Sequence, residues 1–359
     1  MLTLPQIIHA EIAANRVIPF ARFMELALYC PEYGYYEQQK DTVGRRGDFI
    51  TSVSTGELFG QLLAFQFAIW LDELRATNRE LRIVEAGAHD GKLACDILKW
   101  LQINRADLFA QLEYHILEPS TVRKTWQQKT LREFSNVRWL SQLNNSQTPT
   151  FNGIIFSNEL LDAFPVHRYG WNAENRTWFE WGVTVEGEKF VWAKIPDPDF
   201  RIQNPELEAV LPDNYTVETC PAAENWWRQA ARVLASGKLL AIDYGFTEAE
   251  RFSPARTNGT LRAYFRHHVS DDLLANPGEQ DLTAHVNFSA IQQAGEAVGL
   301  TTENFQTQPQ FLTRILEKAT QQKSFGEWNA SRTRQFQTLT HPEHLGRAFR
   351  VLVQSRCNS

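Results

Sequence analysis

From Leu81 onward the sequence alternates short apolar runs with amphipathic ones, and no other feature constrains the fold as much. "LRIVEAG" reads as a strand and "GKLACDILKWLQI" as a helix. "EYHILEPS" is a strand, "TVRKTWQQKTLREF" a helix, "VRWLS" a short strand, and "FNGIIFSNELLDAFP" a strand running into a polar turn. Such βαβαβ order implies a parallel sheet with right-handed crossovers. The rhythm breaks over about 166–220, where a Trp-rich alternating stretch with turn signals reads as an inserted β-meander. It resumes with "AAENWWRQAARVLAS" as helix and "GKLLAIDYG" as strand. Residues 246–285 form a second, mostly irregular insertion, and a loop that long is usually functional. "NFSAIQQAGEAVGL" is a further helix and "RAFRVLVQSR" a closing strand. Residues 1–80 read mostly helical, ending in the long apolar run "LFGQLLAFQFAIWLDEL". The expected fold is α/β, a mixed sheet in residues 81–359, with a helical N-terminal cap (1–80) and two insertions.

Composition closes off several classes. A net charge of −6 argues against a nucleic-acid partner, which needs a basic face to displace counterions. The four cysteines, Cys30, Cys95, Cys220 and Cys357, form no CxxC pair, so a disulfide framework or zinc site is not expected. "HPEH" (His341, His344) lacks a third ligand and reads as a solvated turn, so no metal is expected. Gln61 and Gln66 interrupt the most apolar run, which is too short to span a bilayer. The N-terminus lacks the pattern of a signal peptide. A cytoplasmic setting of bacterial type follows as the expectation.

In open α/β sheets, ligands sit at the carboxyl ends of strands. Glu85, Glu118, Asn158–Glu159 and Asp243 all fall there. Glu118, ending the second strand, suits a ribose diol; its plainer reading is a cap on the next helix. Gly87 and Gly91 permit close backbone approach; the plainer reading is a tight structural turn. The spacing E-x-G-x-x-x-G departs from the dinucleotide form G-x-G-x-x-G. Glu85 and Asp90 would repel a pyrophosphate and tolerate a cation. S-adenosylmethionine carries a sulfonium and an ammonium and no phosphate, and the charge argument selects it. Asn158, Glu159 and Asp162 either meet the acceptor or form an ordinary capping turn. "GRRGDFITS", Gly44 to Ser52, suits a loop over a ligand or a plain surface turn. The Trp-rich meander reads as core rather than as an aromatic cage.

Several segments together resemble one family, the MidA-type methyltransferases, which includes the mitochondrial complex I assembly factor that methylates arginine. They are "GDFITS", "LFGQLLA", "VEAGAHDGKLACDIL", "SNELLDAFPVHR", "DYG" and "GTLRAYFRHHVSDDLLANPGEQDLTAHVNF". The most specific piece is "PGEQDLTAHVNF", Pro277 to Phe288. The resemblance implies a class I methyltransferase (Rossmann-like) fold, S-adenosyl-L-methionine as cofactor, and protein arginine as acceptor. It implies that Asp48 and Thr51 line the cofactor pocket, that Glu85, Gly87 and Gly91 form the first cofactor loop, and that Glu118 holds the ribose. Asn158 and Glu159 would lie between cofactor and acceptor, and His285 would approach the acceptor side. Two positions depart from the pattern. His89 stands where the family loop often has its middle glycine, and Val53–Ser54 where Pro-Glu often follows "GDFITS". A side chain at 89 either narrows the pocket or points away from it.

The expected function is methyl transfer to a protein arginine, with a complex I subunit or its assembly as the implied partner. A homodimer is compatible with this reading. Glu159 is expected to hold the acceptor nitrogen, with Asp162 or His285 as proton acceptor or second clamp. A small-molecule methyltransferase, and a non-catalytic binding protein on the same scaffold, are the alternatives.

Overall fold

The computed structural model describes residues 2–38, 51–75, 81–143, 150–202, 205–265, 268–346 and 348–357. The chain divides into two compact units. One comprises Thr42–Leu161, Glu224–Gly245 and Phe288–Ser359; the other Met1–Asp41, Asp162–Ala223 and Phe246–Asn287.

The first of these carries the sheet. Its strands are β1 (Leu81–Ala86), β2 (Leu112–Leu117), β3 (Val137–Leu140), β4 (Phe151–Asn158), β5 (Leu234–Phe246), β6 (Thr301–Thr307) and β7 (Phe349–Arg356). Their spatial order is β3-β2-β1-β4-β5-β7-β6. The β3-to-β5 ladders are parallel, whereas β7 runs antiparallel to both β5 and β6. This is the mixed Rossmann-like sheet expected from the sequence. The order reverses at β1, between β2 and β4, which places the ends of β1 and β4 at a switch point where open α/β sheets take ligands. Ile83, Ile154, Phe156, Leu240, Ile242 and Val351 share a core with Leu58, Leu62, Leu63 and Phe67 of the helix Leu58–Leu74. Each such side chain, fully buried, contributes ~1.5–3 kcal/mol.

The second unit is built on antiparallel pairing. Thr177–Glu186 pairs with Ile18–Pro19, Lys189–Pro196 and His167–Asn172, and the last of these pairs with Thr216–Thr219. This is the expected meander; Trp171 and Trp178 are core, packed with Leu211, Tyr215 and Val217, whereas Trp181 and Trp192 are half-buried. A three-stranded sheet joins His268–Ser270, Arg262–Phe265 and Asp281–Thr283. The second insertion is therefore more ordered than its sequence suggests, because strands of three or four residues carry too little periodicity to read.

The expected boundary at residue 80 falls elsewhere. Helices Leu4–Asn15 and Phe20–Tyr29 share a core with Val183, Leu261 and Leu282 from the two insertions, whereas Leu58–Leu74 belongs with the sheet. The reason is its apolar circumference. A helix apolar on all sides needs neighbours on all sides, and it packs on β4 and on the helices Lys92–Asn104, Gln308–Gln321 and Ala330–Thr340. Among the described residues, no helix is long and apolar enough to cross a membrane.

Candidate active site

β1 ends in the loop Gly87–Gly91, and three of its residues have positive φ: Gly87 (72°), His89 (46°) and Gly91 (82°). A Cβ on Gly87 would lie 2.7 Å from Leu160 Cδ1, and one on Gly91 would lie 3.3 Å from the Gln127 backbone. Both glycines are thus required by conformation and by close approach. Asp90 Oδ1 accepts the Lys92 amide at 2.9 Å. That side chain caps the helix end where a bound phosphate would need bare amides.

His89 meets the helix Thr121–Thr130. Its Nε2 lies 3.0 Å from Arg123 Nη1, and Gln127 Nε2 donates to its carbonyl at 3.1 Å. Arginine has only donors, so this imidazole nitrogen accepts. Arg123 also stacks over Trp126, 4.5 Å from the ring centroid. The departure from glycine is therefore accommodated by the helix Thr121–Thr130.

Glu85 is buried, and Tyr114 Oη donates to its Oε2 at 2.6 Å. Burial pushes its carboxyl up to about 8; the tyrosine bond lowers it and the nearby Asp90 raises it. Glu118 stands just past β2: Oε1 accepts the Ser120 amide at 2.9 Å and Oε2 accepts Gln127 Nε2 at 2.8 Å, while the cap on the next helix is the Ser120 side chain, which accepts the Arg123 amide. Four lone-pair sites on a carboxylate leave room for further donors. Gln127 is fully buried and also accepts Trp139 Nε1 at 3.0 Å. It ties the glycine loop to Glu118, a role the sequence did not suggest. The only sign was its position four residues after Arg123, on one buried helix face.

At the end of β4, Glu159 adopts φ 51° and its amide donates to Ile242 O at 2.9 Å. Its Oε1 accepts Ser52 N at 3.0 Å and Asn158 Nδ2 at 3.2 Å, while Oε2 accepts nothing from the described residues. The residue keeps part of its surface open, yet its carboxyl is sunk among protein atoms. Burial, with the like charge of Asp243, pushes it up to about 8 against the opposing Ser52 and Asn158 bonds. Asn158 is buried, and its Oδ1 has no hydrogen-bond partner among the described residues. Thr51 exchanges hydrogen bonds with Ser54: Thr51 N donates to Ser54 Oγ at 3.0 Å and Ser54 N to Thr51 Oγ1 at 3.1 Å. Asp48 lies outside the described residues.

Glu85, Gly87, Gly91, Glu118, Asn158 and Glu159 are thus all brought to the β1, β2 and β4 ends of one sheet. Asp162 and His285 belong to the other unit, where Asp162 O accepts the Ala284 amide at 2.9 Å and the His285 amide donates to Thr260 Oγ1 at 3.0 Å.

The residues fit a cationic, phosphate-free ligand. No Lys or Arg among the described residues pairs with Glu85 or Glu159, Asn158 Oδ1 is a buried acceptor in want of a donor, and Asp90 covers the helix end. Fold and site together define a class I methyltransferase. The chain belongs to the S-adenosyl-L-methionine-dependent methyltransferase family whose profile matches residues 62–306, and its cofactor is S-adenosylmethionine. The crystal structure of a Burkholderia thailandensis protein bound to S-adenosyl-homocysteine is 34% identical, with a TM-score of 0.85, covering 98% of this chain and 92% of that one. A native structure from the same organism is also 34% identical, with a TM-score of 0.81, covering 98% and 91%. Among curated relatives, the Mus musculus "Protein arginine methyltransferase NDUFAF7, mitochondrial" is 28% identical over 318 residues, 80% of this chain and 68% of its own. The Homo sapiens protein of that name is 26% identical over 320 residues, covering 80% and 67%.

Proposed function

We propose that this protein methylates the guanidinium of an arginine in a protein acceptor, a respiratory complex I subunit or assembly intermediate, in a cytoplasm of bacterial type. The observation that carries this reading is the Glu159 carboxyl. One oxygen is anchored by Ser52 and Asn158 and the other takes no donor from the described residues, in surroundings that push the group up to about 8. A carboxyl so lacking in counter-charge favours a cation as its partner. The names of the curated relatives supply the acceptor class.

S-adenosylmethionine, when bound, supplies an electrophilic methyl carbon on its sulfonium. Glu118, braced by Gln127, would hold its ribose side, and Glu85, Gly87 and Gly91 its loop side. A guanidinium titrates above ~12, so Glu159 does not deprotonate it in the ground state. Its carboxylate localises the positive charge on the nitrogens it faces and leaves the attacking nitrogen oriented. The arriving cation draws Glu159 down from about 8 into its ionised form. Asp162 or His285 is assigned the proton released by the product, or a second clamp on the acceptor.

Labelled-methyl transfer from S-adenosylmethionine to a lysate of the source organism tests this reading. A labelled protein carrying methylarginine is the expected result; label in a small-molecule fraction alone overturns the protein acceptor. Calorimetry showing no cofactor binding at millimolar ligand would leave only the non-catalytic alternative. A Glu159→Gln chain retaining full transfer removes that residue from its assigned place.

A further inference from the structure

Asp243 stands in β5 and is fully buried. Its Oδ2 accepts the amides of Leu160 at 3.1 Å and Leu161 at 2.8 Å, and its Oδ1 accepts the Tyr244 amide at 2.8 Å. The first two amides directly follow Glu159, the one residue of that turn in the left-handed region. A glutamate does not enter that region without over-determination by its surroundings. Three charge-assisted bonds on one carboxylate, with the Glu159 amide bonded to Ile242 O one residue before Asp243, supply it.

We infer that Asp243 is the positioning residue for Glu159: by gripping the Leu160 and Leu161 amides it fixes the turn that presents the Glu159 carboxylate, with Oε1 on the Ser52 amide. This rests on the proposed place of Glu159 in acceptor binding, but its structural content does not depend on which acceptor is used. The two carboxylates are also electrically linked, Asp243 being the charged group that faces Glu159 and opposes its ionisation. Among the described residues, the other groups that act on Glu159 are the neutral Ser52 amide and Asn158 side chain.

The test is a carboxyl-carbon NMR titration of Glu159 in the full chain, assigned with Glu159→Gln, comparing wild type with Asp243→Asn. Asparagine removes the charge and leaves one carbonyl oxygen for three amides. The Glu159 midpoint is expected to fall by at least half a pH unit in Asp243→Asn and to stay within 0.3 unit of wild type in Asp243→Glu. An unchanged midpoint in Asp243→Asn overturns the linkage whether or not arginine is the acceptor. Methyl transfer is read separately: kcat is expected to drop at least tenfold in Asp243→Asn, with the acid limb of its pH profile moving to lower pH. A drop in kcat with an unmoved limb reduces Asp243 to a structural role. Should Asp243→Asn fail to fold, hydrogen exchange in the wild type decides. Leu160 and Leu161 amides are expected to be among the slowest outside the sheet, and fast exchange at both overturns the inference.

Discussion

Replacing Gly87 by alanine tests the cofactor loop at its tightest point. Gly87 holds φ 72°, where an L-residue costs roughly 1–2 kcal/mol. The new methyl would stand 2.7 Å from Leu160 Cδ1 and 3.4 Å from its Cβ and Cγ, so the leucine must leave its rotamer or shift, at about 0.5–1.5 kcal/mol. Together the loss of stability is ~1.5–3.5 kcal/mol, or roughly 3–14 °C in Tm for a unit of this size. Leu160 does not move freely, because its amide is held by Asp243 and the preceding residue is Glu159. The strain therefore enters the Glu159 turn as well as the glycine loop. Gly87→Ala is expected to weaken S-adenosylmethionine binding by about tenfold, the equivalent of ~1.4 kcal/mol. The double variant Gly87→Ala/Leu160→Ala removes the collision and keeps the backbone cost. It is expected to lose less than the sum of the two single changes, since residues in contact do not add. Denaturant unfolding and calorimetry on the same three variants give both readouts. A Gly87→Ala chain within about 0.5 kcal/mol of wild type, or strict additivity with Leu160→Ala, would refute the close approach.

Other outcomes follow from the same geometry. His89→Gly is expected to change S-adenosylmethionine affinity by less than about threefold, or ~0.6 kcal/mol, because the imidazole points to Arg123; a tenfold gain by calorimetry would show that it narrows the pocket. Burial raises Glu85 to about 8 against an unfolded value of about 4.3. The folded chain then holds a proton that the unfolded chain releases first, so stability is greatest below about 4.3 and falls as pH rises toward about 8. Glu85→Gln is expected to flatten the urea midpoint between pH 5.5 and 8, and an unchanged slope counts against the burial argument. Thr260→Val removes the acceptor of the His285 amide and is expected to cost ~1–2 kcal/mol in denaturant unfolding, with faster exchange at that amide; slow exchange would show another acceptor there.

Much of the site was legible because its residues sit at sequence punctuation. Glu85, Glu118 and Asn158–Glu159 each follow an apolar run, and a strand's carboxyl end is readable wherever such a run stops. Gly87 and Gly91 announce themselves by residue type. Asp243 stood out in the same way, as an acid within an apolar strand, but nothing local said that its partners are amides eighty residues earlier. Gln127 gave no sign beyond its helical spacing from Arg123, because its value lies in a carbonyl, a carboxylate and an indole from three different segments. β6 also escaped: "TTENFQT" is an edge strand paired with β7, and Phe305 is its single apolar side chain, so it has no apolar alternation.

Residue order alone determined the parallel βα rhythm, the two interruptions and the loop chemistry that selects a cation over a phosphate. These rest on local quantities: hydrophobic period, glycine position and the charges carried by a single turn. Tertiary structure decided where Leu58–Leu74 belongs, where His89 points, and why Glu159 stands in a left-handed turn. Each of those depends on backbone groups and side chains distant in sequence, and a hydrogen bond between segments leaves no trace in the order of residues until the sheet has brought its two ends together.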